Sequence, residues 1–188
     1  MTIVYVGGIK GVGKSLALRK VFNQLSLSGP FYERAKVAEV MFELATNQGI
    51  IKGYNELENI TPEVKRDIRL KAFQRILTNE KQNLIFDGHY SISSLFGYEY
   101  GIPLEIVKEI DYLVLLYNDP EVILRRRKKD RSKKRGGDLE KVKLDLAIEE
   151  AFARFYTQII EKKLKMIKTD NEAPSKLIGF LKEVAKNG

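Results

Sequence analysis

The chain has 188 residues, 44% of them hydrophobic and 31% charged, and a formal net charge of +8. That profile excludes a disordered chain and gives length enough for one domain with a real core. With no cysteine there is no disulfide, thiolate nucleophile or Cys-based metal site, and no apolar run approaches the roughly 20 residues that span a bilayer, so the expected location is cytoplasmic.

Residues 2–6 (TIVYV) are a short β-branched run ended by Gly7 and Gly8, which predicts a buried strand. A helix begins within 14–28, where Leu16, Leu18, Val21, Phe22 and Leu25 recur at helical spacing before Gly29-Pro30 stops it. Residues 31–37 make a poorer strand and 40–47 a helix. Thr61 as N-cap, with Pro62 in the first turn, opens a helix that continues to 79. Residues 83–87 (NLIFD) predict a buried strand ending in an acid, and 111–117 a third clear strand. Pro120 starts a helix that runs into a basic cluster, broken by Gly136-Gly137. Asp138 then caps a long helix from 139 to about 163, followed by a short strand at 164–167 and a closing helix at 175–184. Strands alternating with helices, without a Pro/Ser-rich linker, predict a single α/β domain over 1–188 with a parallel sheet.

Gly8-Ile9-Lys10-Gly11-Val12-Gly13-Lys14-Ser15 matches G-x-x-x-x-G-K-[ST] at every fixed position, between a predicted strand and a predicted helix. A chance glycine turn would fit the letters without that context. Glycines let the backbone wrap tightly, so that successive N–H groups hold phosphate oxygens, and the helix that follows presents its positive end to the same phosphates. The phosphate-binding set is therefore Gly8, Ile9, Lys10, Gly11, Val12, Gly13, Lys14, Ser15 and Leu16. Lys14 places an ammonium near the β- and γ-phosphates, and Ser15 offers a hydroxyl to Mg²⁺. The motif indicates a triphosphate and leaves its fate open, because GTPases, ATPases, transport motors and small-molecule kinases share it.

An apolar strand that ends in Asp87 supplies the acid that orients a metal-bound water in P-loop proteins, although an Asp at such a place also caps turns. His89, the only histidine, follows two residues later and is expected to position an acceptor. Between 125 and 135 stand Arg125, Arg126, Arg127, Lys128, Lys129, Arg131, Lys133, Lys134 and Arg135 against Asp130 alone. Such a cluster attracts polyanions. Arg127 and Arg131 share a helix face, Arg135 adjoins the glycine pair and Arg154 lies on the next helix, an arrangement suited to a short closing lid that neutralises a transferring phosphoryl group.

These features resemble the archaeal type of adenylate kinase, a branch of the nucleoside monophosphate kinases. The likeness covers the P-loop, Val40-Met41-Phe42-Glu43-Leu44-Ala45, and Asp87-x-His89 followed by Ile92, Gly97-Tyr98, Gly101 and Pro103. It continues through Ile123-Leu124 with Arg126-Arg127 and on to Asp138-Leu139-Glu140. The resemblance implies a five-stranded parallel sheet of order 2-3-1-4-5, a monophosphate-binding segment at 38–80, a lid at 128–138, and a homotrimer. It implies that Lys14 contacts the transferred phosphate, that Ser15 and Asp87 hold Mg²⁺, that Arg127 lies by the adenine and phosphates of ATP, and that Arg131, Arg135 and Arg154 clamp phosphates.

There are departures. Bacterial and animal adenylate kinases carry a Thr and an Arg near the places of Glu39 and Glu43, and an Arg after the acidic turn, where this chain has Ser91. Archaeal relatives carry lysines where it has Ser93 and Phe96. The acceptor contact must then come from Arg66, Arg69 or Arg75, and the candidate acceptor set is Glu39, Phe42, Arg66, Arg69 and His89.

The expected function is ATP-dependent phosphorylation of a nucleoside monophosphate, AMP foremost, with ATP and Mg²⁺ as cofactors. Two alternatives remain open at this stage. One is an adenylate-kinase-like ATPase acting on RNA or ribosome assembly, suggested by the basic cluster. The other is a kinase for a non-nucleotide acceptor, suggested by the altered acceptor segment.

Overall fold

Runs of β-branched and leucine residues with no polar face become the inner strands of a parallel sheet covered on both sides. The computed structural model describes residues 1–28, 30–58, 60–79, 82–94, 97–129 and 138–187, and in it β1 (Ile3–Gly7) is buried at every position. There follow α1 (Lys14–Ser28), β2 (Tyr32–Ala35), α2 (Val37–Asn47), a 3-10 turn (Tyr54–Glu58), α3 (Pro62–Asn79) and β3 (Asn83–Asp87). A hairpin of β4 (Ser91–Ser94) and β5 (Gly97–Tyr100) comes next. The chain ends with β6 (Tyr112–Tyr117), α4 (Pro120–Lys129), α5 (Leu139–Ile160), β7 (Lys165–Lys168) and α6 (Ala173–Asn187).

Five strands form one parallel sheet in the order β2-β3-β1-β6-β7, which is 2-3-1-4-5 when only the strands of this sheet are counted. The antiparallel β4–β5 hairpin forms its own two-stranded sheet and was not expected. Alternation along the strands divides the core. Val4, Val6, Ile85, Val114, Leu116 and Ile167 pack with α1 and α6, while Ile3, Tyr5, Leu84, Phe86, Leu113 and Leu115 pack with α3 and α5. Phe73 of α3 stacks on Phe86 at 4.9 Å between ring centroids. The order places the carboxyl ends of β1 and β3 side by side, where an open α/β sheet binds its ligands.

Helix boundaries shift for local reasons. α5 stops at Ile160, short of the expected 163, because Glu161 turns left-handed with φ of 53° and its N–H returns to Thr157. Asp138 caps that helix through Lys141 N. Of the expected segment 38–80, α2, the 3-10 turn and the start of α3 enclose a small core of Ala45, Ile51, Leu57 and Ile68, whereas Phe73 and Ile76 of α3 belong to the main core. Most of the expected lid at 128–138, with Arg131 and Arg135, lies outside the described residues. Among the described residues no helix is long and apolar enough to cross a membrane.

The hairpin returns to the domain at Gly101, whose N–H donates to Tyr90 O at 2.9 Å. A Cβ at Gly101 would fall 1.7 Å from His89 O, so any side chain there must push the backbone of residues 89–90 outward. Gly101→Ala is expected to cost about 3 kcal/mol, an overpacking penalty against backbone. An unchanged urea midpoint would show that the segment retreats freely.

Candidate active site

The loop after β1 is built for close approach. Gly11 and Gly13 take φ of 88° and 109°, and a Cβ on Gly13 would lie 2.9 Å from the Arg126 guanidinium. Ile9 and Val12 are buried and pin the loop to the core, while Lys10 is exposed. Because α1 starts at Lys14, its first N–H groups lack intrahelical acceptors and its positive end meets the loop.

Two arginines of α4 hold this loop by its carbonyl oxygens. Arg127 Nε donates to Lys10 O at 2.8 Å, and both terminal nitrogens donate to Asp145 Oδ2 at 3.2 Å. Arg126 donates to Val12 O and, at 3.1–3.2 Å, to Thr169 O and Oγ1. Thr169 also donates to Val12 O, and Asn118 Nδ2 holds Thr169 O at 2.7 Å. With Lys10 O and Val12 O engaged from behind, the loop's amides other than Val12 N, which donates to Ile9 O at 3.2 Å, are left for an anion.

Asp87, at the end of β3, accepts from Lys14 on Oδ1 and from Arg34 of β2 on Oδ2. Burial alone would raise its pKa, but the Lys14 charge and the two hydrogen bonds outweigh burial and hold the carboxyl below its ordinary value. One carboxylate thus gathers the P-loop lysine and an edge-strand guanidinium.

The segment after Asp87 is held by a buried carboxylate that faces no cation at hydrogen-bond distance among the described residues. Glu149 of α5, 1% exposed, accepts from Tyr90 N at 2.9 Å, Ser91 N at 2.8 Å and Ser91 Oγ at 2.6 Å. Burial raises its pKa, and the bonds from Ser91 and Tyr90 work against that rise. From below, Tyr5 donates to His89 O at 2.8 Å and Tyr90 donates to Val114 O at 3.0 Å. The His89 ring lies 4.0 Å from Glu149 and keeps 29% of its side-chain surface open. Burial, followed by the charge of Lys14, pushes its pKa down to about 4, so the imidazole is neutral at pH 7.

Two cavities adjoin this centre. One of about 310 Å³ is lined by Lys10, His89, Ser91, Ser93, Lys141 and Asp145, among others. A second, of about 540 Å³, lies between the start of α3 and the hairpin, and includes Arg66, Arg69 and Glu99. Tyr98 lines both. Arg69 is 6% exposed and donates to Tyr100 O at 3.0 Å.

The expected acceptor residues are therefore divided. His89 faces the first cavity, and Arg66 and Arg69 the second. Glu39 instead pairs with Lys36 at 3.1 Å on the surface of α2, and Phe42 packs on Tyr54. Arg75 spans from α3 to Glu43 at 2.9 Å. Arg154 pairs with Glu150 at 2.7 Å one helical turn away and touches Met166 of β7. It stands about 13 Å further along α5 than Asp145, beside the edge strand and not at the phosphate loop. Arg127 turns its head to the loop backbone and α5. Sequence reasoning missed Arg34, Asp145, Glu149, Lys141, Thr169 and Asn118. The two acids are four apart on one helix face, a spacing that marks solvated faces as readily as functional ones.

The family model described as "AAA domain" (AAA_17) matches residues 7–143. The adenylate kinase of Methanothermobacter thermautotrophicus is 27% identical over 188 residues, covering 98% of this chain and 99% of that protein. That of Methanocaldococcus jannaschii is 28% identical over 188 residues, with 98% of each covered. That of Thermococcus kodakarensis is 31% identical over 145 residues, covering 73% of this chain and 70% of its own length. Among solved structures, shikimate kinase from Acinetobacter baumannii in complex with shikimate superposes with a TM-score of 0.60 at 18% identity, covering 100% of this chain and 94% of that one. Shikimate kinase from Bacteroides thetaiotaomicron gives 0.56 at 16%, with 98% of each covered. At such identities the structural likeness speaks to fold alone.

A histidine whose folded pKa is depressed resists a proton that the unfolded chain takes up near 6.5. The stability contributed by neutral His89 is thus present above pH 6.5 and lost as pH falls toward about 4. His89→Gln is expected to flatten the pH–stability curve over that window. Being the sole histidine, His89 gives one imidazole NMR signal, and a midpoint near 6.5 in the folded protein would contradict this assignment.

Proposed function

The chain belongs to the AAA_17 family of AAA domains and to the archaeal type of adenylate kinases, and we propose that it transfers the γ-phosphoryl group of Mg-ATP to AMP. The reading rests on one observation above all: Lys14, at the head of α1, and Asp87, at the end of β3, meet at the mouth of the glycine loop.

In this reading the amides of residues 8–16 cradle the donor phosphates. Lys14 leaves Asp87 for the transferring phosphoryl, and Arg34 remains beside it as a second cation. The oxygens of Ser15 and Asp87 are hard donors that suit Mg²⁺, an ion bound largely by water and substrate phosphates. When bound, it neutralises charge across the β- and γ-phosphates. Arg131 and Arg135 supply charge to the phosphates, and Arg127 keeps the loop in shape through Lys10 O. Residues 38–80 serve the acceptor, with His89 as a neutral hydrogen-bonding group.

An oxygen of the acceptor phosphate attacks the γ-phosphorus as the bond to the β-phosphate oxygen breaks, and the electrons leave with ADP. A tetra-anion and a dianion give two trianions, so the protein need not remove a proton. Catalysis is then positioning and charge neutralisation, which suits a site containing a His89 held neutral and no demand for a general base.

Incubating the protein with Mg-ATP and each nucleoside monophosphate in turn, and resolving the nucleotides, tests the proposal. ADP formation that depends on AMP is expected; the same ADP yield with and without every monophosphate would refute it. Lys14→Ala is expected to raise the barrier by about 2–4 kcal/mol, as for other lost transition-state charge contacts. Wild-type kcat in that variant would remove Lys14 from the mechanism.

A further inference from the structure

We infer that the acceptor's phosphate binds in the cavity of about 310 Å³ beside the glycine loop, held by Lys10 and Lys141. The inference rests on the kinase reading above and deepens it.

The cavity lies between the outer side of the phosphate loop, the β4–β5 hairpin and α5. Three cations line it, Lys10, Arg127 and Lys141, against one carboxylate, Asp145. Asp145 is already answered by both terminal nitrogens of Arg127. The charge left over belongs to the two lysines. Lys10 forms no ion pair among the described residues. Lys141, 42% exposed, reaches Tyr98 Oη at 2.7 Å and Asp145 Oδ1 at 3.2 Å. Its ammonium has three donors, so one remains for a ligand. Ser93 adds a hydroxyl, Tyr98 gives its own to Asp145 Oδ1 at 2.8 Å, and Ile9 and Ile92 supply an apolar wall. An excess of positive charge, a hydroxyl donor and limited volume select a small dianion, and a phosphate monoester fits that description.

Position fixes its role. Lys10 belongs to the loop that holds the donor, and His89 stands two residues beyond Asp87, so a monoester here lies between the donor loop and the segment that follows Asp87. The nucleoside part extends past Tyr98, the residue common to both cavities, toward Arg66, Arg69 and Glu99. Glu149 serves the same site indirectly, because its bonds to Tyr90 and Ser91 fix the edge of the cavity.

Equilibrium dialysis with AMP and with adenosine, on wild type and Lys141→Ala, separates the phosphate contact from everything else. Loss of one charge-assisted contact is expected to weaken AMP binding about tenfold or more and to leave adenosine binding and Mg-ATP affinity unchanged. Lys10→Ala in the same background is expected to weaken AMP further. Because Ser93 lines the same cavity, S93K added to K141A is expected to restore part of the AMP preference. Lys141→Met, which keeps the aliphatic stem, guards against a packing effect. If wild type phosphorylates AMP while K141A and K141M bind AMP as tightly as wild type, the site is wrong. It is equally wrong if adenosine binding falls in parallel with AMP. Failure of the kinase reading registers separately, as wild-type protein that makes no ADP from any monophosphate.

Discussion

Asp87 carries two cations on its two oxygens, and that sharing brings the ends of three neighbouring elements to one point. Lys14 comes from the loop after β1, Arg34 from β2, and the carboxylate from β3. Half-buried charges of one sign would repel across this gap; the carboxylate makes their proximity favourable and keeps both cations beside a place for phosphate. The sheet order makes this possible, since β2, β3 and β1 are consecutive neighbours.

Two carboxylates of α5 hold the segments beside this centre. Asp145 fixes Arg127 and through it Lys10 O, while Glu149, one turn on, fixes Tyr90 and Ser91. The donor loop and the segment that follows Asp87 are thus gripped by neighbouring carboxylates of a single rigid helix. A helix is stiff over such a distance, so a shift of α5 moves both sides of the cavity together. Glu149 tolerates burial because each carboxylate oxygen is satisfied by N–H or O–H groups, and its raised pKa records what that burial still costs.

The sheet and the phosphate loop were legible because their physics is local. Residues 2–6, 83–87 and 111–117 are apolar on both faces, and the glycine spacing of the loop follows from backbone geometry alone. β2 was less legible because it is an edge strand, where Glu33 and Arg34 interrupt the apolar pattern. The β4–β5 hairpin was missed for a different reason: SISS and GYEY have no apolar stripe, and the hairpin is held by Glu149, Arg69 and the Tyr98 contacts, all distant in sequence. Arg127, read as a ligand for ATP, faces the loop carbonyl, and Arg154, read as a clamp, pairs with Glu150. Sequence spacing places an arginine on a helix face, but it does not say which neighbour that face meets.

The hairpin stands outside the main sheet, and its strands exchange backbone hydrogen bonds only with each other. Its attachment runs through a few side chains that bind its main chain, through Tyr98, and through the Tyr100 ring packed on Phe152 and Phe155 of α5. Residues such as Ser93 can therefore be exchanged without disturbing the sheet or the machinery that handles the triphosphate. That separation gives the scaffold an evolvable end and a fixed end: new acceptors can be tried by rewriting one small ribbon while the power source stays the same.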